Sequence, residues 1–126
     1  MTLRLWNTLE NKLVDLDPVT PGEIRMYNCG PTVYSDPHIG NFRSFLLGDL
    51  LRRAIDQRGL KTTQVMNITD VGHFTIDDVA DASGEDKMEK KAKEEGLDPH
   101  EVACRYEQIF HDNAALLHLR EAHQYP

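Results

Sequence analysis

The apolar and polar positions change rhythm several times along the chain. Leu3-Arg4-Leu5-Trp6 alternates apolar with charged residues, the pattern of a short edge strand. Asn7 to Asp17 is polar and reads as loop, and Pro18, Pro21 and Gly22 mark a turn. Ile24 to Cys29 then reads as a strand, ended by Gly30-Pro31. Pro31 and Pro37 bar regular structure between them. From Ile39 or Gly40 to Arg58 the apolar residues recur at helical spacing. Phe42, Phe45, Leu46, Leu50 and Ala54, with Leu47, Leu51 and Ile55 beside them, give a wide apolar face. That face puts Arg43, Asp49, Arg52, Arg53 and Gln57 outside. Gly59 suits a C-terminal cap.

Thr62 to Ile68 is rich in β-formers and reads as a second strand. Strand, crossover helix and strand make a βαβ unit, and such units are parallel and right-handed. The exits of the two strands, at Cys29 and at Thr69-Asp70, therefore belong at the same edge of the sheet. Val71 to Asp86 is acidic, with a break at Ser83-Gly84. A charged, solvated surface helix is expected over Lys87 to Glu95, stopped by Gly96. Asp98-Pro99 has the form of an N-cap followed by a first-turn proline. The helix it opens carries Val102, Tyr106, Ile109, Phe110, Ala114 and Leu117 on one side and runs to about Leu119, before a polar tail to Pro126. There is no internal repeat.

Composition narrows the class. A length of 126 residues fits one domain. A charged fraction of 28% and a mean hydropathy of -0.53 describe a polar, soluble chain with a modest core. The formal charge of -7 argues against broad electrostatic binding of nucleic acid, so such a partner needs a local basic patch or another domain. No window approaches the ~20 apolar residues of a membrane span, and the N-terminus lacks the apolar core of a signal peptide. Two cysteines far apart do not make a disulfide framework. A reducing cytoplasm is the expected setting.

The chemistry concentrates between Tyr27 and Phe42. The stretch leaves a strand, crosses a proline-rich turn and enters a helix, the layout of a nucleotide site at the carboxyl end of a parallel strand. His38-Ile39-Gly40-Asn41 opens the helix, where unpaired amides and the helix dipole favour an anion, and a histidine can donate to a phosphate. Gly40 removes a side chain that would block a base or ribose. A helix cap with a surface histidine is the plain alternative. Cys29, at a strand end, suits a metal ligand, a nucleophile or a small core residue. Cys104, in mid-helix, is expected in the core. Asn67-Ile68-Thr69-Asp70 offers polar groups that can hold a small zwitterion, or simply a strand-ending turn. His73 reads as a loop histidine.

Together these strings are far more specific than any one of them. Tyr27-Asn28-Cys29-Gly30-Pro31-Thr32-Val33-Tyr34 with Pro37-His38-Ile39-Gly40, then Met66-Asn67-Ile68-Thr69-Asp70-Val71-Gly72-His73, closely resemble the opening of the cysteinyl-tRNA synthetases. So do Leu5-Trp6-Asn7-Thr8-Leu9 and Gly84-Glu85-Asp86-Lys87-Met88, and the likeness covers essentially the whole chain. The resemblance implies an α/β, Rossmann-like nucleotide-binding fold with a parallel sheet, present as the truncated N-terminal portion of a class I catalytic domain over residues 1–126. It implies ATP-dependent activation of cysteine and its transfer to tRNA(Cys). By position, Cys29 matches the family's first zinc ligand, and a zinc that binds the substrate thiolate is a sound basis for excluding serine. Gly30 and Thr69 match positions that contact the amino acid. His38, Gly40 and Asn41 match the signature that holds ATP, with its magnesium, and stabilises the phosphoryl transition state. Asn41 replaces the histidine that usually ends that signature, and asparagine can also donate a hydrogen bond.

The larger departure is length. Family members are several times longer, and their remaining zinc ligands, second ATP signature and anticodon-binding domain lie beyond the equivalent of Pro126. Lys87-Met88-Glu89-Lys90-Lys91 looks like the second signature but is rejected, because Glu89 would set a negative charge against the phosphates. The chain alone is accordingly expected to be inactive, with an incomplete zinc site and tRNA met mainly by absent regions. Two rivals remain. One is a related ligase that couples activated cysteine to a sugar amine. The other is a non-catalytic half-domain that binds a nucleotide or partner and exposes an apolar sheet edge.

Overall fold

The computed structural model describes residues 3–70 and 87–126, with side chains in the second stretch from residue 90 onward. The acidic stretch, Ser83-Gly84 and His73 lie outside the described residues. Its parallel pair of strands joined by a helix is the α/β, Rossmann-like arrangement expected from the sequence.

The chain opens with a hairpin. Strand β1 (Arg4–Asn7) pairs antiparallel with β2 (Lys12–Asp15), with Asn7 opposite Lys12. β2 lies within the polar stretch Asn7 to Asp17 that the sequence pattern reads as loop. The turn is built by Asn7, whose Oδ1 accepts the backbone N–H groups of Leu9 (3.0 Å) and Glu10 (3.3 Å), mimicking a backbone turn. Asn11 closes it in the left-handed region at φ 51°.

Strand β3 (Glu23–Asn28) leads through the Gly30–Pro37 turn into α1 (Ile39–Asp56), which returns the chain to β4 (Lys61–Met66). β3 and β4 are parallel, with Glu23 opposite Lys61 and Asn28 opposite Met66, so both exits fall at one edge as the βαβ reading required. The ladder resumes beyond them. Val33 N–H donates to the Thr69 carbonyl (3.0 Å) and Thr69 N–H to the Pro31 carbonyl (2.9 Å).

Helix α2 (Lys87–Glu95) and α3 (Pro99–Leu116) follow. Asp98 caps α3, and the Glu101 carboxylate in turn accepts the Asp98 N–H (3.2 Å), as the Asp-Pro signal predicted. α2 is more than a solvated helix. Ala92 is buried against Val102, Ala103 and Tyr106 of α3, and Glu95 accepts from the Tyr106 hydroxyl (2.9 Å) and from Arg105 (3.1 Å). Further along α3, Phe110 stacks on Phe42 (6.2 Å) and meets Phe45 edge-on (5.4 Å), joining α3 to α1. Leu117, expected on this side, is exposed, and Leu119 packs there instead.

Two further expectations are corrected. Asp49 faces inward and is buried, while Leu46, Leu47 and Leu50 are exposed. Asp49 tolerates burial because Arg53 Nε donates to it at 2.6 Å and the Arg120 N–H at 3.2 Å. The C-terminal segment is not a loose tail. His123 N–H donates to the Gln64 carbonyl (2.8 Å) and Met66 N–H to the Gln124 carbonyl (3.1 Å), so it lies parallel along the outer edge of β4. Arg52 holds it from α1 by donating to the Glu121 carbonyl (2.7 Å).

Candidate functional site

The β3 exit, the turn after it and the start of α1 border an open cleft lined by Gly30, Pro31, Thr32, Tyr34, His38 and Asn41, among others. A more enclosed cavity lies between α1, α3 and the C-terminal segment. It shares no lining residue with the cleft and holds none of the candidate residues.

Gly30 sits where β3 ends, and a Cβ there would lie 1.9 Å from the Asn67 carbonyl oxygen. Only glycine lets the two exits approach this closely. Its N–H donates to Asn67 Oδ1 at 3.2 Å, and Asn67 Nδ2 donates to Thr69 Oγ1 at 3.0 Å. Gly30 and Thr69, singled out separately in the sequence, are thus linked through one side chain. The sequence pattern alone does not set Asn67 apart from its neighbours in Asn67-Ile68-Thr69-Asp70. The signal available was an amide side chain directly after a strand, opposite a glycine.

His38 is the N-cap of α1. Its Nδ1 accepts the Gly40 N–H at 3.0 Å, which puts the proton of the neutral ring on Nε2. Asn41 completes a capping box, its Oδ1 accepting the His38 N–H at 3.0 Å. The amides of Gly40 and Asn41 are therefore satisfied within the helix start. The expectation of bare amides is corrected at Gly40 and Asn41, and the terminus also offers side-chain donors, His38 Nε2–H and Asn41 Nδ2–H, because the acceptor atoms of both are used in the cap. The reason for Gly40 also changes. A Cβ there would lie 2.8 Å from the His38 ring, so the glycine makes room for the capping imidazole.

Cys29 is exposed at the β3 exit, with Sγ 3.7 Å from the Gly30 carbonyl oxygen. An accessible thiol suits a soft metal as one donor. Among the described residues no three His, Cys, Asp or Glu side chains gather as a metal site. Cys104 is exposed on α3, not in the core, its Sγ nearly equidistant from the two ring nitrogens of His100 (3.9 and 3.8 Å). Among the described residues no helix is long and apolar enough to cross a membrane.

The geometry, a glycine-pinched parallel edge beside a capped helix start, has close sequence relatives. The cysteine–tRNA ligase of Novosphingobium aromaticivorans is 49% identical over 119 residues, 94% of this chain and 24% of that protein. That of Salinibacter ruber is 46% identical over 123 residues, 95% of this chain and 24% of that protein. That of Thermus thermophilus is 49% identical over 106 residues, 84% and 22% respectively. The chain spans about a quarter of the length of the curated relatives it matches. The family described as tRNA synthetases class I (C) catalytic domain matches residues 15–126, nearly the whole chain, and it is to this family that the chain belongs.

Proposed function

We propose that these residues form the amino-acid and ATP-binding edge of a cysteine–tRNA ligase, which joins cysteine to ATP and passes the activated cysteine to tRNA(Cys). The observation that carries the reading is the cleft that Gly30, His38 and Asn41 line beside the carboxyl end of β3, with Cys29 and Thr69 just past the ends of the same parallel pair, in a chain whose relatives bear that name. The first step is attack of the cysteine carboxylate on the α-phosphorus of ATP, releasing pyrophosphate, and it builds charge on phosphate oxygens. His38 Nε2–H and Asn41 Nδ2–H are preset donors for those oxygens. A preset donor needs no reorganisation at the moment of reaction, and one such donor is worth roughly 10²–10³ in rate by analogy with oxyanion-hole deletions. Gly30 lets the two strand exits close on each other, and Thr69 supplies a hydroxyl for the amino acid. Cys29 would be one thiolate ligand of a zinc, which when bound would select a thiol over a hydroxyl side chain. Cytoplasmic location and ATP–magnesium follow from the same reading.

Cysteine-dependent ATP–pyrophosphate exchange by the full natural polypeptide that carries this chain tests the proposal. Exchange with cysteine and not serine, followed by charging of tRNA(Cys), is expected. Transfer of activated cysteine to a small amine in place of tRNA would move the reading to the sugar-amine ligase. The 126-residue chain alone is expected to show no exchange.

A further inference from the structure

We propose that Asn67 is a positioning residue for the amino-acid substrate: it fixes the polarity of the Thr69 hydroxyl so that the hydroxyl proton is free to meet an acceptor oxygen of the amino acid. The inference rests on the cysteine-activating reading above and adds a residue to it.

The polarity follows from one unambiguous donor. A backbone N–H can only donate, and the Gly30 N–H lies 3.2 Å from Asn67 Oδ1. The carboxamide is therefore oriented with its oxygen toward Gly30 and its NH₂ toward Thr69. An NH₂ group can only donate, so Thr69 Oγ1, at 3.0 Å, must accept. The hydroxyl has one proton and two lone pairs. With a lone pair engaged by Asn67, its proton is left to point away from Asn67.

Thr69 is otherwise immobilised. Its N–H and C=O are both spent on the ladder with Pro31 and Val33, and its β-branched side chain has few rotamers. The hydroxyl orientation is then the remaining freedom, and Asn67 removes it. Asn67 and Thr69 are both half-buried, so water competes weakly for these bonds. Asn67 is itself held, because its carbonyl oxygen abuts the Cα of Gly30 where no Cβ would fit. An amide side chain with one end on each strand exit transmits the register of the sheet to the orientation of a single hydroxyl.

The alternative is that Asn67 merely ties the strands together. Kinetics on the full natural polypeptide separate the two, using pyrophosphate exchange with cysteine and ATP varied in turn. Asn67→Ala is expected to raise the cysteine KM about tenfold, the scale of one shielded hydrogen bond, with the ATP KM changed less than about twofold. In a Thr69→Val background the same substitution should change the cysteine KM by less than about threefold, because the group it orients is gone. Asn67→Asp keeps an acceptor for the Gly30 N–H but would draw the Thr69 proton to itself. It should melt within a few degrees of wild type and still show the raised cysteine KM. Rescue of the cysteine KM by Asn67→Asp, additive effects of the Asn67 and Thr69 substitutions, or an equal rise in both KM values would overturn the proposal. Absence of cysteine-dependent exchange in the unsubstituted polypeptide would instead sink the functional reading, and this inference with it.

Discussion

At the scale of single residues, His38 carries two duties that a substitution can separate. Its Nδ1 caps α1 through Gly40, and its Nε2–H faces outward as the proposed phosphate donor. Alanine removes both. An N-cap deletion typically costs about 1 kcal/mol, so His38→Ala is expected to lower stability by about that much in urea unfolding. Asparagine is a strong N-cap residue, and its short side chain can still accept the Gly40 N–H but cannot place a donor where Nε2 lies. His38→Asn should therefore hold stability near wild type while losing about 10²-fold in pyrophosphate exchange, as His38→Ala does. An active His38→Asn variant would show that the histidine is a cap and nothing more.

At the scale of elements, the joints are where α1 meets α3 and where α1 ends. Phe110 is 2% exposed and bridges Phe42 and Phe45. Truncating a buried phenylalanine costs about 3–5 kcal/mol, a large share of the ~5–15 kcal/mol that holds a small domain. Phe110→Ala is expected to shift the urea midpoint sharply, more than alanine at Leu46, Leu47 or Leu50, which are exposed. At the end of α1, Asp56 accepts from the Thr62 hydroxyl at 2.6 Å and from the Arg120 guanidinium. The Thr62 bond first, then Arg120, holds its carboxyl below the ordinary aspartate range. A carboxyl with a depressed folded pKa contributes stability that is complete above its unfolded pKa of about 4 and is lost as pH falls through the folded value. Thr62→Val removes the main cause. It should cost about 1 kcal/mol at pH 7 and flatten the loss of stability between about pH 5 and 3, read from thermal melts. An unchanged acid slope would show that the Thr62 bond does not couple Asp56 to folding.

These joints also mark where the sequence was legible. β3, α1, β4 and α3 each follow a period or a punctuation mark that belongs to the element itself, such as Gly30-Pro31 or Asp98-Pro99, and so were readable locally. Asp49 was misplaced because its burial depends on the Arg120 N–H, 71 residues away. The C-terminal strand segment was unreadable because its pairing is made by the backbone of His123 and Gln124, which leaves no apolar alternation. β2 is four residues long and is held by the Asx turn at Asn7. At the site, the glycines, the histidine and the threonine could be singled out. The reason for Gly40 and the link through Asn67 depend on how side chains meet across segments, which no local pattern records.

At the scale of the whole molecule, the described residues cover α1 on one side only. Toward β3, β4 and α3 it buries Phe42, Phe45 and Ile55, while Leu46, Leu47 and Leu50 remain 41%, 68% and 53% exposed. Among the described residues β3 pairs with β4 along one edge and leaves its other edge without a strand. A row of exposed leucines is a surface that monomers rarely leave uncovered, and an open strand edge is another. When the 126-residue chain is studied by itself, the available partner is a second copy, and a two-fold arrangement lets the same leucines meet each other. Charge opposes that pairing, since each copy carries -7. Salt screens this repulsion, with a Debye length of about 10 Å at 0.1 M. Sedimentation of the isolated chain is therefore expected to show concentration-dependent dimerisation that strengthens as salt rises from about 0.05 to 0.5 M. Leu47→Lys with Leu50→Lys should abolish it while changing stability by less than about 0.5 kcal/mol, because both side chains are exposed in the monomer. Dimers that weaken with salt would place the contact on charged groups instead. A chain that stays monomeric at every salt concentration would show that the leucine face is tolerated in water.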